Sequence, residues 1–154
     1  MASNQGGGAR LSVSACWALL RSVDVGRLGV TVDGEPDIFP VNFVVDHGTI
    51  VFRTAAGTKL AAALCDVAVA FEVDGYDSET NEAWSVVVKG HAREISKPAD
   101  VADAFTLPLY PWHADPKGHL VRVVPQDVSG RRFEIAARSR WATPLSGARR
   151  SPME

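Results

Sequence analysis

The chain has 154 residues, 46% of them apolar and 22% charged, with a formal net charge of −2. That length suits one domain able to bury a core, and the charge balance leaves no basic surface for nucleic acid. Two cysteines, Cys16 and Cys65, are too few for a disulfide framework, and no apolar run approaches the roughly 20 residues that span a bilayer.

The expectation is therefore a cytoplasmic globular domain, with neither nucleic acid nor membrane as partner. Both cysteines sit inside apolar runs and read as reduced core thiols. Residues 1–11 lack the charged start and apolar stretch of a secretory signal and read as a flexible lead-in. In residues 12–24, Cys16, Leu19, Leu20 and Val23 form one helical stripe, with Ser12 or Ser14 available as N-cap. After that the period changes. Three runs rich in Val, Ile and Phe follow, separated at Asp33-Gly34 and Asp46-His47-Gly48, residues that tolerate the positive φ of hairpin turns. They predict an antiparallel meander with strands at about 27–32, 37–45 and 49–54.

TKLAAALC, residues 58–65, predicts a short helix from its Ala and Leu content. VAVAFEVD, 67–74, reads as a strand apolar on both faces, hence central. The acidic loop GYDSETNEA leads into the longest strand, WSVVVKGHAREI, residues 84–95. KPADVADAFTL predicts a helix with proline near its start, and PLYPWHADPKG a loop. HLVRVVPQDVSGRRFEIA predicts two last strands around Pro125 and Gly130, and 139–154 a frayed tail. The sum is a mainly β (α+β) domain over residues 12–138: a closed or nearly closed antiparallel barrel of six to seven strands with short peripheral helices.

One stretch concentrates polar chemistry. FRTAAGTKL, residues 52–60, carries Arg53, Thr54, Gly57, Thr58 and Lys59 with no acid among them. Strand alternation puts Ile50 and Phe52 on the core face, so Arg53 points out of the barrel. Thr58 stands where the next helix would be capped, and the first N–H groups of a helix carry partial positive charge. Donors converging there suit a phosphate; the same residues also suit a solvated turn with a threonine cap.

Other site patterns are missing. The four histidines, at 47, 91, 113 and 119, have no i, i+4 pair, and there is no Cys-x-x-Cys, so no metal site is expected. A Gly-x-Ser-x-Gly elbow and a Gly-x-Gly-x-x-Gly fingerprint are both lacking.

Taken in order, GRLGVTVDGEPDIFPVNFVVDHGTIVFRTAAGTKL, VAFEVDGYD, AWSVVVKGHARE and VRVVPQDVSGRRF resemble the pyridoxamine 5'-phosphate oxidase-like, FMN-binding split-barrel family, in its flavin-nucleotide-binding branch. The resemblance runs from about residue 14 to 136. It implies a homodimer with FMN in each of two grooves at the subunit boundary, moving hydride or electrons to a small-molecule substrate. Arg53, Thr54, Gly57, Thr58 and Lys59 would grip the phosphate. Pro40, Val41, Asn42 and Phe43 would lie along the isoalloxazine edge, largely through their backbone. Trp84 and Ser85, with Lys89 behind them, would reach the partner's flavin. The same fold also serves deazaflavin F420, and a flavin-storing module without turnover would carry the same anchors. Arg138, Arg140 and Trp141 echo the segment that binds pyridoxal phosphate in the true oxidases, but their surroundings do not match, so that substrate is not assigned.

Overall fold

The structure is a computed structural model that describes residues 8–55, 58–109 and 118–135, with the side chains of Lys59 and Phe105 outside that description. Helix α1, Val13–Arg21, begins where Ser12 Oγ accepts a hydrogen bond from the Ala15 N–H at 3.1 Å. It turns Cys16 and Leu20 into the core. Strands β2, Val25–Val32, β3, Glu35–Asp46, and β4, Thr49–Thr54, follow as the predicted meander. Both of their turns are two residues long and left-handed: Asp33 and Gly34 have φ of 50° and 79°, His47 and Gly48 46° and 70°. Paired positive φ values make the tight hairpin that matches strand twist.

Helix α2, Lys59–Ala63, leads through Asp66 to β5, Val67–Asp77, and β6, Glu82–Glu94. In the β5–β6 loop the Asp77 carboxylate accepts from the Glu79 and Thr80 N–H groups, and those bonds hold its pKa below the usual aspartate range. Helix α3, Pro98–Phe105, carries its proline in the first turn, as predicted. Strand β7, His119–Glu134, is the longest. A two-residue strand, β1, Ala9–Arg10, pairs with β7 at Arg132 and Arg131.

The strands form one antiparallel sheet in the order β1-β7-β4-β3-β2-β5-β6, and β6 also pairs with β7, which closes the ring. This is the expected barrel. Its interior holds Leu28, Ile50, Phe52, Phe71, Val73, Val86, Val88 and Val123, all at 0% exposure. Phe43 meets Phe71 edge to face, with centroids 4.8 Å apart. A second, smaller core lies outside the wall, where Val101 and Ala104 of α3 cover Val51 and Leu120.

Several details depart from the sequence reading. The end of the lead-in is ordered as β1. The two last strands are one, because the ladder with β6 absorbs Pro125 through a register shift between Lys89 and Gly90. Gly130 does not break it: it pairs with Val86, and a side chain there would lie 2.7 Å from Cys16 Sγ, so the bare backbone is what lets α1 dock. Strand β5 buries Val69, Phe71 and Val73 but leaves Ala68 exposed and Glu72 half-exposed, so only one face is core. Of the two cysteines only Cys16 is buried, and burial pushes its thiol pKa up. Cys65 is exposed, lying past the end of α2 just before the left-handed turn at Asp66. Among the described residues no helix is long and apolar enough to cross a membrane.

Candidate functional site

The barrel wall parts at one place. Strand β3 pairs with β2 from Glu35 to Asn42, but with β4 only from Phe43 to Asp46. Beyond the Phe43–Phe52 pair, β4 leaves β3 and follows β7, with Arg53 opposite Leu120 and Thr54 opposite His119. Among the described residues, β3 from Pro36 to Asn42 therefore has one strand partner rather than two. The Ile38 N–H is bonded to the Asp37 carboxylate, 2.8 Å away, instead of to a neighbouring strand. An open strand edge offers backbone donors and acceptors to whatever lies beside it.

The residues singled out in the sequence divide between the two faces of this wall. Val41 and Phe43 are 7% and 3% exposed and belong to the inner core. Pro40 and Asn42 alternate with them, so their side chains stand on the outer face. Arg53 is on that outer face too, one step past the Phe43–Phe52 pair on β4 as Asn42 is on β3. Its aliphatic stem lies over Gly118, where a side chain would meet it at 3.6 Å.

Thr54 points the other way, toward the interior end of the barrel. It is 5% exposed, and its hydroxyl has no hydrogen-bond partner among the described residues. It lines a pocket of about 300 Å³ with Thr58, Ala61, Ala62, Leu64, Glu94, His119 and Val121. A buried hydroxyl left unpaired costs about 1–3 kcal/mol, so this position is one where a polar ligand atom is stabilising.

Thr58 begins α2 as the sequence predicts, but its hydroxyl is occupied. It donates to the Ala55 carbonyl at 3.0 Å and accepts from the Ala61 N–H at 3.1 Å. Its single proton is used, and α2 is only five residues long, so the helix adds little dipole. Gly57 lies outside the described residues, as does the Lys59 side chain, whose backbone opens α2.

Trp84 and Ser85 sit elsewhere. Trp84 packs its indole over Gly75, where an added side chain would meet it at 2.4 Å, and Ser85 pairs across the sheet with Asp74 and Arg131. They lie at the opposite end of β6 from Glu94, about 30 Å away at the rise of a strand. One subunit does not bring them to the β4–α2 corner.

Two residues of the pocket escape the sequence reading. Glu94 ends β6 opposite Val121, and His119 begins β7 opposite Thr54. The His119 ring nitrogen Nδ1 is in hydrogen-bond contact with the Glu94 carboxylate. The corner is acid-free along the chain but not in space. Only the β4–β7 and β6–β7 ladders bring these groups in, and no local pattern announces them. Among the described residues no three His, Cys, Asp or Glu side chains converge as metal ligands.

A parted antiparallel barrel with a polar corner at the end of β4 is the architecture of a split-barrel protein. Residues 12–132 match the pyridoxamine 5'-phosphate oxidase family, and the chain belongs to it. The chain is similar to the FAD binding protein of Mycobacterium smegmatis: 45% identity, covering 84% of this chain and 100% of that one, with a TM-score of 0.73. A Corynebacterium glutamicum structure is 39% identical over 86% of this chain and 98% of its own, at a TM-score of 0.78. An uncharacterized Mycobacterium tuberculosis protein is 39% identical over 126 residues, 79% of this chain and 82% of that protein.

Proposed function

We propose that this chain binds a flavin nucleotide, FMN or FAD, by its phosphate at the β4–α2 corner and uses it to pass hydride or electrons to a small molecule. One observation carries the reading: where β4 parts from β3, beside Arg53, the buried Thr54 hydroxyl has no partner among the described residues. A phosphate oxygen is an acceptor for that hydroxyl, and the guanidinium fork of Arg53, on the outer face of the same strand end, is a second donor of the kind that phosphate takes. The open edge of β3 from Pro40 to Phe43 suits the ring, with backbone groups and the Asn42 amide as partners. FAD joins FMN because the Mycobacterium smegmatis relative is an FAD binding protein.

The bound flavin supplies reversible acceptance of hydride or electrons. The chain supplies the anchor and the wall. Trp84 and Ser85 fit the same site only from a second subunit, which favours a homodimer with the cofactor between subunits.

The test is titration of apo-protein with FMN, FAD and F420, followed by absorbance. FMN or FAD should bind in the micromolar range or tighter. Arg53→Ala should weaken binding about ten- to a hundredfold, the value of a hydrogen bond to a charged group. Unchanged affinity in Arg53→Ala would overturn the phosphate assignment, and F420 binding alone would transfer the site to the deazaflavin. Sedimentation showing a stable monomer when loaded would overturn the shared site. If NADH, NADPH and reduced F420 all fail to bleach the bound flavin, the protein is a carrier rather than an oxidoreductase.

A further inference from the structure

We infer that the free edge of β3 selects its ligand by hydrogen-bond polarity: it presents acceptors only, and so takes a flavin ring by its imide N3–H. The inference rests on the flavin reading above and adds which rim of the ring lies against the strand.

Successive residues of an antiparallel strand turn their backbone groups to alternate sides. The Phe43 N–H bonds to the Asp24 carbonyl at 3.0 Å, on the β2 side, so residues 37, 39 and 41 address β2 as well. Pro36, Ile38, Pro40 and Asn42 then address the side where, among the described residues, 36–42 has no strand partner. Pro36 and Pro40 have no N–H to offer. The N–H between them, on Ile38, is already held by the Asp37 carboxylate at 2.8 Å. Each of the three keeps its carbonyl, and these acceptors follow one another about 6.8 Å apart, two residues of strand rise. The one nearest the point where β4 rejoins is that of Pro40.

Such an edge cannot extend the sheet, because a further strand needs donors as well as acceptors from its neighbour. Proline in a strand belongs at an edge of this kind. Another strand, from a second copy of this chain or from any partner, is thereby refused. A ligand with an N–H on its rim is accepted. The oxidised flavin ring carries a single N–H, at N3 between two carbonyls; its other rim heteroatoms accept, and its benzenoid rim has no donor. Any rim but the imide would set acceptor against acceptor at Pro40, or leave that carbonyl covered and unpaired, and both are costly. The ring therefore meets β3 through N3, in FMN and FAD alike.

The test titrates apo-protein with FMN, FAD and their N3-methyl derivatives, followed by flavin fluorescence. N3-methylation should weaken binding about five- to fiftyfold, the worth of a lost hydrogen bond and of the acceptor it strands. With FMN isotopically labelled at N3, nuclear magnetic resonance should show the N3–H exchanging with water more slowly in the complex than in free FMN. Pro40→Ala gives residue 40 an edge N–H, a partner for the ring carbonyls that methylated flavin retains, so the N3-methyl penalty should shrink about two- to threefold. Thermal melts verify that this variant folds, and the two wild-type measurements decide the matter if it does not. Equal affinity for flavin and its N3-methyl derivative, or an N3–H exchanging as in free FMN, overturns the inference and leaves flavin binding intact. An unchanged penalty in folded Pro40→Ala moves the N3–H contact off β3 and overturns it too. Failure of the wild-type protein to bind either FMN or FAD overturns the flavin reading itself.

Discussion

The two ends of β4 begin and finish with the same residue type and are built in opposite ways. At the first end, Thr49 donates to the Asp46 carbonyl at 2.6 Å and receives a hydrogen bond from Arg122 Nη1 at 2.6 Å. The same guanidinium donates to the Asp46 carboxylate at 2.9 Å. Strands β3, β4 and β7 are all paired there, and the polar groups of Thr49, Asp46 and Arg122 answer one another. At the other end β3 has left, and the Thr54 hydroxyl is buried without a partner among the described residues. Both threonines sit in the same strand and the same sheet. The difference marks where the fold satisfies its own polar groups and where, among the described residues, it leaves one unsatisfied.

If the joined half of β4 holds the barrel, its last shared residue should matter most. Phe52 is fully buried and pairs with Phe43 at the point where the strands part. Phe52→Ala should cost about 3–5 kcal/mol in denaturant unfolding, as large buried aromatics do. A loss below about 1 kcal/mol would mean the barrel does not depend on that junction.

Arg122→Ala should come next, at about 1–3 kcal/mol, because it strips Asp46 and Thr49 of their donor together. It should also change the acid response. The Arg122 hydrogen bond, aided by His47, holds the Asp46 carboxyl below the usual aspartate range despite burial. A depressed folded pKa gives stability that is present above the unfolded value, about 3.9 for aspartate, and lost as pH falls through the folded value. Urea midpoints measured from pH 6 down to pH 2 should show that loss in wild type and a shallower one in Arg122→Ala. Parallel curves would show that Asp46 titrates alike in both.

How much of this was legible in the sequence follows from how local each feature is. The hairpins at Asp33-Gly34 and His47-Gly48 are written in adjacent residues and in a backbone sign that few others tolerate. The α1 and α2 caps, Ser12 and Thr58, were equally readable. The single strand β7 was not, since Pro125 and Gly130 look like breaks until β6 and α1 are present to accommodate them. At the site, alternation alone put Arg53 outside. That the same alternation turns Thr54 inward, into a pocket with Glu94 and His119, needed the pairing of β4 and β6 with β7. Contacts made by strand register across long stretches of chain leave no periodic trace.

The sharpest test makes one substitution at both ends of β4. Valine keeps the shape and branching of threonine and removes only the hydroxyl. Thr49→Val deletes an acceptor used by Arg122 and a donor used by Asp46, and should destabilise by about 1–2 kcal/mol. Thr54→Val deletes a buried hydroxyl with no partner among the described residues, so the apo-protein should be unchanged or up to about 1 kcal/mol more stable. Its flavin affinity should nevertheless fall about five- to tenfold, the worth of one hydrogen bond. Stability and binding would then move apart at the open end, while Thr49→Val lowers stability and leaves affinity alone. Equal destabilisation by both valines would show that Thr54 is held by the fold as Thr49 is, and the contrast between the ends would vanish.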